Sequence, residues 1–251
     1  MKSLRSLLVF LLFFVFQLDA ATSTFLKDRM QGSKAGDYIV TRIDNTYTVL
    51  LIKETTPHQI SIEEITIPAQ RLHDKRFPWS GWRNWVESGA NGNTSWLLYT
   101  VHVDTGMMRE YFSYTNGQWN NMSDVNNFLS TLLNLRFVKI PREEMKRVGV
   151  VPPSEKYGQD SRRIWSPKLV YEGKTVYGAE FEAWRTRWPR DCGELSGKTI
   201  TVYLPKDERA YPTYFPYWLE IQGMLGKAKI SIVDSGRNLE SPRPGPPRKV
   251  G

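Results

Sequence analysis

The sequence contains one cysteine, Cys192, and only three histidines in 251 residues. A lone thiol excludes an intrachain disulfide, so stability has to come from a packed core. His58, His73 and His102 are scattered, and no cluster of His, Cys and carboxylate has metal-ligand spacing. Glu180 and Glu182 lie two apart, but alternation along the wet face of a strand accounts for them. No glycine-rich phosphate loop precedes a helix and no G-x-S-x-G is present, so no cofactor is expected. The longest apolar run, Leu7 to Phe16, is ten residues, half of the ~20 that a spanning helix needs.

That short run is informative for where it stands. Lys2 and Arg5 precede it, and Gln17-Leu18-Asp19-Ala20-Ala21 follows it. A basic start, an apolar centre and small residues at the end form the three-part pattern of a secretory signal peptide. Cleavage is expected after Ala20, giving a leader over 1–20, a β-rich domain over 21–236 and a Pro-rich tail over 237–251. No cysteine stands behind the run to carry a lipid. The expected compartment is the periplasm or the exterior.

Formal net charge is +8. A basic surface favours acidic partners. For an exported chain these are anionic lipid headgroups, acidic polysaccharide or an envelope protein, with peripheral membrane contact, and not nucleic acid. Aromatic residues make up 13%, with nine Trp, which predicts a core or groove lined with rings.

Hydrophobic periodicity points to a mainly β fold of the α+β class: a curved antiparallel sheet, one covering amphipathic helix and a short second helix. Residues 22–35 read as polar and loosely ordered. Thr46 to Lys53 and Ile60 to Ile67 have strand composition, and the doubled Glu63-Glu64 suggests a β-bulge. Trp96 to Asp104 alternates and returns through Thr105-Gly106 as a hairpin. From Ser123, the apolar positions Val125, Phe128, Leu129, Leu132, Leu133 and Leu135 recur at helical spacing. Pro141 to Val148 reads as the second, short helix. Strands follow over Trp165 to Tyr171, Thr175 to Trp184, Thr199 to Leu204, Tyr217 to Gln222 and Lys227 to Val233. The tail, dominated by Ser241-Pro242-Arg243-Pro244-Gly245-Pro246-Pro247, is expected to be disordered with polyproline character.

The sharpest catalytic candidates are two triplets, Asp104-Thr105-Gly106 and Asp234-Ser235-Gly236. Each follows apolar residues and resembles the active-site loops of pepsin-like aspartic proteases, in which two carboxylates share a proton. Asp104 falls at a tight hairpin, however, and the second triplet leaves no room for the strands such a lobe needs. Arg190-Asp191-Cys192-Gly193 places a thiol beside a cation but carries no family signature. No catalytic or metal residue is assigned. Two aromatic-basic segments remain as candidate ligand or partner rims: Trp184, Arg185, Arg187 and Trp188, and Tyr211, Tyr214, Phe215, Tyr217 and Trp218. The reading is a non-catalytic envelope protein that binds an apolar or acidic ligand, or a lipid or protein partner. The alternative is an extracytoplasmic hydrolase whose carboxylates are unassigned.

Overall fold

The structure is a computed structural model that describes residues 24–72, 79–122, 128–150, 162–190, 194–223 and 226–247. The leader and its cleavage position, Ser123 and Val125 lie outside the described residues. The fold is mostly β, with a large antiparallel sheet and four short helices.

Eleven strands form the sheet, in the order β6-β5-β4-β3-β2-β1-β15-β14-β13-β12-β7. The first meander comprises β1 (Tyr38–Ile43), β2 (Thr46–Thr55), β3 (Gln59–Pro68), β4 (Ser95–His102), β5 (Met107–Ser113) and β6 (Gln118–Asn121). Short pieces follow: β7 (Val138–Lys139), β8 (Arg147–Val148), β9 (Arg163–Ile164), β10 (Leu169–Tyr171) and β11 (Lys174–Val176). The second meander is β12 (Phe181–Arg187), β13 (Thr199–Pro205), β14 (Trp218–Gly223) and β15 (Gly226–Gly236). β1 joins the two, pairing β2 on one side and β15 on the other. β8 pairs β9, and β10 pairs β11, as separate two-stranded sheets.

The helices are α1 (Phe25–Gln31), α2 (Ala69–Leu72), α3 (Trp82–Glu87) and α4 (Phe128–Asn134). The covering helix is α4, with Leu132 and Leu133 buried. α1 forms where loose chain was expected, because Phe25, Leu26 and Met30 meet on one side of a helical turn and are all buried. The short helix expected at Pro141 to Val148 is a turn, closed by Glu144 N–H donating to Pro141 O (3.0 Å), and it runs into β8.

The two helices α1 and α4 show how far the sheet bends. β4 and β12 stand seven neighbour steps apart, roughly 34 Å on a flat sheet at about 4.8 Å per strand. α4 has seven residues and is only about 10 Å long. Yet Asn134 at its end donates to Thr105 O, beyond β4 (2.8 Å). Phe128 at its start stacks on Trp188, just past β12 (centroids 5.4 Å, planes 8° apart). The sheet therefore curls about one face, and α1 and α4 fill the concavity. Phe25 of α1 stacks on Trp184 (4.3 Å), while Lys27 reaches Asp104 O (3.2 Å).

Both faces of the first meander are covered. The concave face buries Ile39, Ile52, Ile60, Ile62 and Val101 in one cluster with Ile200, Val202 and Leu219 of the second meander. The convex face buries Tyr38, Val40, Val49, Leu51, Ile65, Ile67 and Trp96 beneath α3 and Leu239. This explains Glu63-Glu64. β3 keeps unbroken register with β4, and the irregularity lies in the partner strand, between Ile52 and Glu54. The apolar residues change parity because both sides are inside, not because β3 bulges.

The tail also departs from expectation. Residues 237–247 lie against the convex face, with Leu239 only 3% exposed. Ser241 Oγ donates to Glu63 Oε2 (2.6 Å), and the Arg243 guanidinium lies 4.7 Å over the Trp96 ring. Prolines remove donors without removing carbonyl acceptors, so side chains of the sheet can hold such a segment from below.

Candidate functional site

A chemically varied cleft of about 560 Å³ lies on the convex side, lined by Tyr38, Trp79, Arg83, Lys168, Glu172 and Asp234 among others. Its floor is the paired β1 and β15, and its walls are the approach to α3 and the β10–β11 hairpin. That hairpin turns through Glu172 (φ 48°) and Gly173 (φ 74°). Two successive positive φ values make a tight turn matched to strand twist. The turn is fastened to β15: Glu172 N–H donates to Ser235 O (2.7 Å) and Gly173 N–H to Asp234 Oδ1 (3.0 Å).

Asp234 is thereby buried, and burial pushes its carboxyl above the usual carboxylate range, against the opposing pull of the Gly173 and Ser235 N–H groups. Burial likewise raises the Tyr38 phenol, and the Asp234 charge adds to the effect. Arg83 crosses the cleft. Its Nη2 bonds Glu172 Oε1 (2.8 Å), its Nη1 donates to Asn238 O (2.5 Å), and it also bonds Arg237 O. One guanidinium thus holds α3, the hairpin and the tail together, using the fork of donors that lysine lacks. Trp79 is 45% exposed and meets Trp82 edge-on (4.7 Å), which in turn meets Tyr47 (5.2 Å). Lys168 is exposed and forms no ion pair among the described residues. The cleft therefore offers an exposed ring and an uncommitted ammonium beside a committed Arg–Glu pair.

The triplets do not meet. Asp104 stands at the β4–β5 turn with its side chain 77% exposed, 3.7 Å from His58 Nδ1. Asp234 lies on β15, opposite Val40 of β1 and four strands from β4. Each triplet glycine has a packing reason. A Cβ on Gly236 would sit 2.5 Å from the Tyr38 ring, and Gly106 (φ 66°) would press one on Asn134. The shared-proton arrangement resembling an aspartic protease is excluded. Cys192 and His73 lie outside the described residues. Among the described residues no group of three His, Cys or carboxylates could hold a metal. Glu180 and Glu182 pair instead with Lys206 (2.7 Å) and Lys139 (2.5 Å). The first of these lysines holds the Glu180 carboxyl below the usual range.

The candidate rim residues separate by burial. Trp188, Tyr214, Phe215 and Tyr217 belong to the core and line no rim. Tyr214 Oη donates to Leu50 O (2.6 Å), and Tyr217 Oη bonds Ser235 Oγ (2.9 Å). Both phenols lie on the concave side, where proline-punctuated sequence feeds rings inward. Trp184 is half-buried under Phe25, and Trp218 packs edge-on to Trp165 (5.1 Å) with Lys229 above it. Tyr211 packs on Tyr171 (5.6 Å). Arg185 is exposed and paired with Glu144 (2.8 Å), and Arg187 is exposed. By register Trp184 and Trp218 lie on opposite faces of the sheet. Sequence reasoning missed Arg83, Lys168 and Glu172 as cleft residues; the closely spaced Trp79, Trp82 and Trp85 are the signal in the sequence that could have found the place.

No curated protein matches the chain. Among solved structures, it is similar to the hypothetical protein CT021 from Chlamydia trachomatis, determined at 2.0 Å resolution. The TM-score is 0.63 at 20% identity, over 89% of this chain and 98% of that one. At such identity the likeness carries the fold alone. The profile of the CT021 protein family matches residues 48–177, from β2 through β11, and so includes the cleft's α3 and hairpin walls. That match spans more than half of the 251 residues, and the chain belongs to the CT021 family.

Proposed function

We propose that the chain is a non-catalytic binding protein of the cell envelope or exterior, exported by its leader, that takes an anionic, ring-bearing ligand in the Trp79–Lys168 cleft. The observation that carries this reading is that an exposed Trp79 ring and an uncommitted Lys168 line the same cleft. A π-face accepts the flat side of a sugar or other ring, and the ammonium selects an acidic group. The net positive charge of the chain would draw an acidic glycan or headgroup toward it. An apolar ligand inside the curl has less support, because Phe25, Leu132 and Phe137 already occupy that face.

The test is calorimetric titration of the mature protein with an acidic oligosaccharide and with a neutral one of equal length. The acidic ligand is expected to bind at least tenfold more tightly. Lys168→Glu should abolish that preference, and Trp79→Ala should weaken both ligands. Equal binding of the two, or none, overturns the reading. Recovery of native protein from cytosol with Met1 in place would overturn the export half.

The hydrolase alternative has one observation in its favour, the raised carboxyl of Asp234 next to Glu172 in the same cleft. Asp234 is engaged by two backbone N–H groups and Glu172 by Arg83, so both have structural work. Asp234→Asn abolishing a hydrolytic activity in a folded protein would favour that alternative.

A further inference from the structure

We propose that the convex face of β2–β6 is a recognition groove for extended, proline-rich peptides carrying an arginine, and that the chain's own tail is its internal occupant. Three side chains of the sheet meet three tail carbonyls. Lys53 Nζ donates to Arg243 O (2.7 Å), Tyr114 Oη to Pro244 O (2.7 Å) and Trp119 Nε1 to Pro247 O (3.1 Å). Residues 243–247 have neither helix nor strand. In a polyproline helix, with about three residues per turn, residues 244 and 247 present their carbonyls to the same side. The two aromatic donors are spaced to take that pair.

The arginine supplies the second element. Arg243 lies over Trp96 (4.7 Å) and Tyr114 (5.9 Å), so a planar cation is selected by two π-faces. Donors that read carbonyls demand a backbone shape, while the rings demand a cation. Together they specify Arg-Pro-x-x-Pro, the pattern of Arg243 to Pro247. Such readout needs no fit to the tail alone. Beside Gly245 and Pro246 the groove also continues into a concavity of about 580 Å³, lined by Gln59, Ser61, Thr100, His102 and Arg109. A tail serving only as a strap has no use for that room; a longer peptide does.

The experiment uses the full chain. In the variant S241A/R243A the tail loses its bond to Glu63 and its ring contacts, which lowers its competition for the groove. A fluorescein-labelled peptide of residues 239–251 is then titrated and followed by anisotropy. Binding to the variant is expected to be at least tenfold tighter than to wild type. A peptide with the Arg243 position changed to alanine should bind at least fivefold more weakly. So should the wild-type peptide to the variant that also carries Trp119→Phe, which keeps a ring but removes the donor. R243A alone provides a milder case should the double variant unfold. Concentration-dependent dimerisation of wild type, abolished by Trp119→Phe, would also support the groove, with a second copy's tail as occupant. A folded variant that shows no saturable binding, or binds wild-type and arginine-free peptides equally, overturns the proposal.

Discussion

The two faces of the first meander are built from the same strands but stabilised in different ways. The concave face is apolar and closed by α1 and α4, with Ile52, Ile60, Ile62 and Val101 all at or below 1% exposure. The convex face carries a buried charge. Glu63 is 0% exposed, is paired with Lys53, and receives Trp96 Nε1–H (3.0 Å) and the Ser241 hydroxyl. One face is held by apolar packing; the other is held in addition by the hydrogen bonds and ion pair that converge on Glu63. Neighbouring residues of one strand thus fail by different mechanisms when altered.

The largest effect is expected on the concave face. Ile62→Ala should cost about 4 kcal/mol, toward the upper part of the range for buried Ile→Ala changes, since strands and plug leave a cavity that cannot collapse. Ile65→Ala, equally buried but under α3 and Leu239, should cost roughly half of that, because a six-residue helix can settle into the void. Urea denaturation of both variants measures the difference. Equal losses would show that the two covers are equally rigid.

Next in size is the clamp. Glu63→Ala strands the Lys53 ammonium and the Trp96 N–H and should cost roughly 2–3 kcal/mol, below the figure for fully buried pairs because Lys53 remains partly exposed. It should also release the tail, read as faster amide exchange at residue 243. Glu63→Leu should recover part of the stability without re-docking the tail, since an apolar replacement leaves fewer unmet demands on the strand than a hole does. A Glu63→Ala protein as stable as wild type would reduce the convex face to ordinary packing.

The contrast between the faces also explains what could be read from the sequence. The C-terminal hairpin was legible because Leu219 and Ile221 alternate cleanly and one face does most of the burying; Leu219 pairs Ile230 as the alternation implies. β3 was legible as a strand but misread in detail, since a period of two disappears when both faces are inside. β1 carries a strand composition in Tyr38–Ile43 and a two-residue turn at Asp44-Asn45, with Asp44 at φ 48°, yet it stands between polar segments and was passed over. The tail was beyond composition. Prolines announce an extended chain, and only Tyr114 and Trp119, more than a hundred residues away, decide whether it docks. The cleft failed for the same reason: Trp79, Lys168 and Asp234 are far apart in sequence and converge only through the β1–β15 pairing.

The smallest predicted effect concerns the one carboxyl on the concave side of β3. Glu64 accepts a hydrogen bond from Tyr99 Oη (3.2 Å), and burial raises its pKa above the ordinary glutamate value despite that bond. A folded pKa above the unfolded one means that the native state binds the proton more readily. The penalty is therefore fully present above the folded pKa and is relieved as pH falls through it toward the unfolded value. Glu64→Gln keeps an acceptor for Tyr99 and carries no charge, so it should stabilise at pH 7 by at most about 1 kcal/mol. The gain should shrink on acidification across that window, read as converging melting temperatures of the two proteins. Divergence at low pH would reverse the sign of the burial effect and make Glu64 a charge that its surroundings favour.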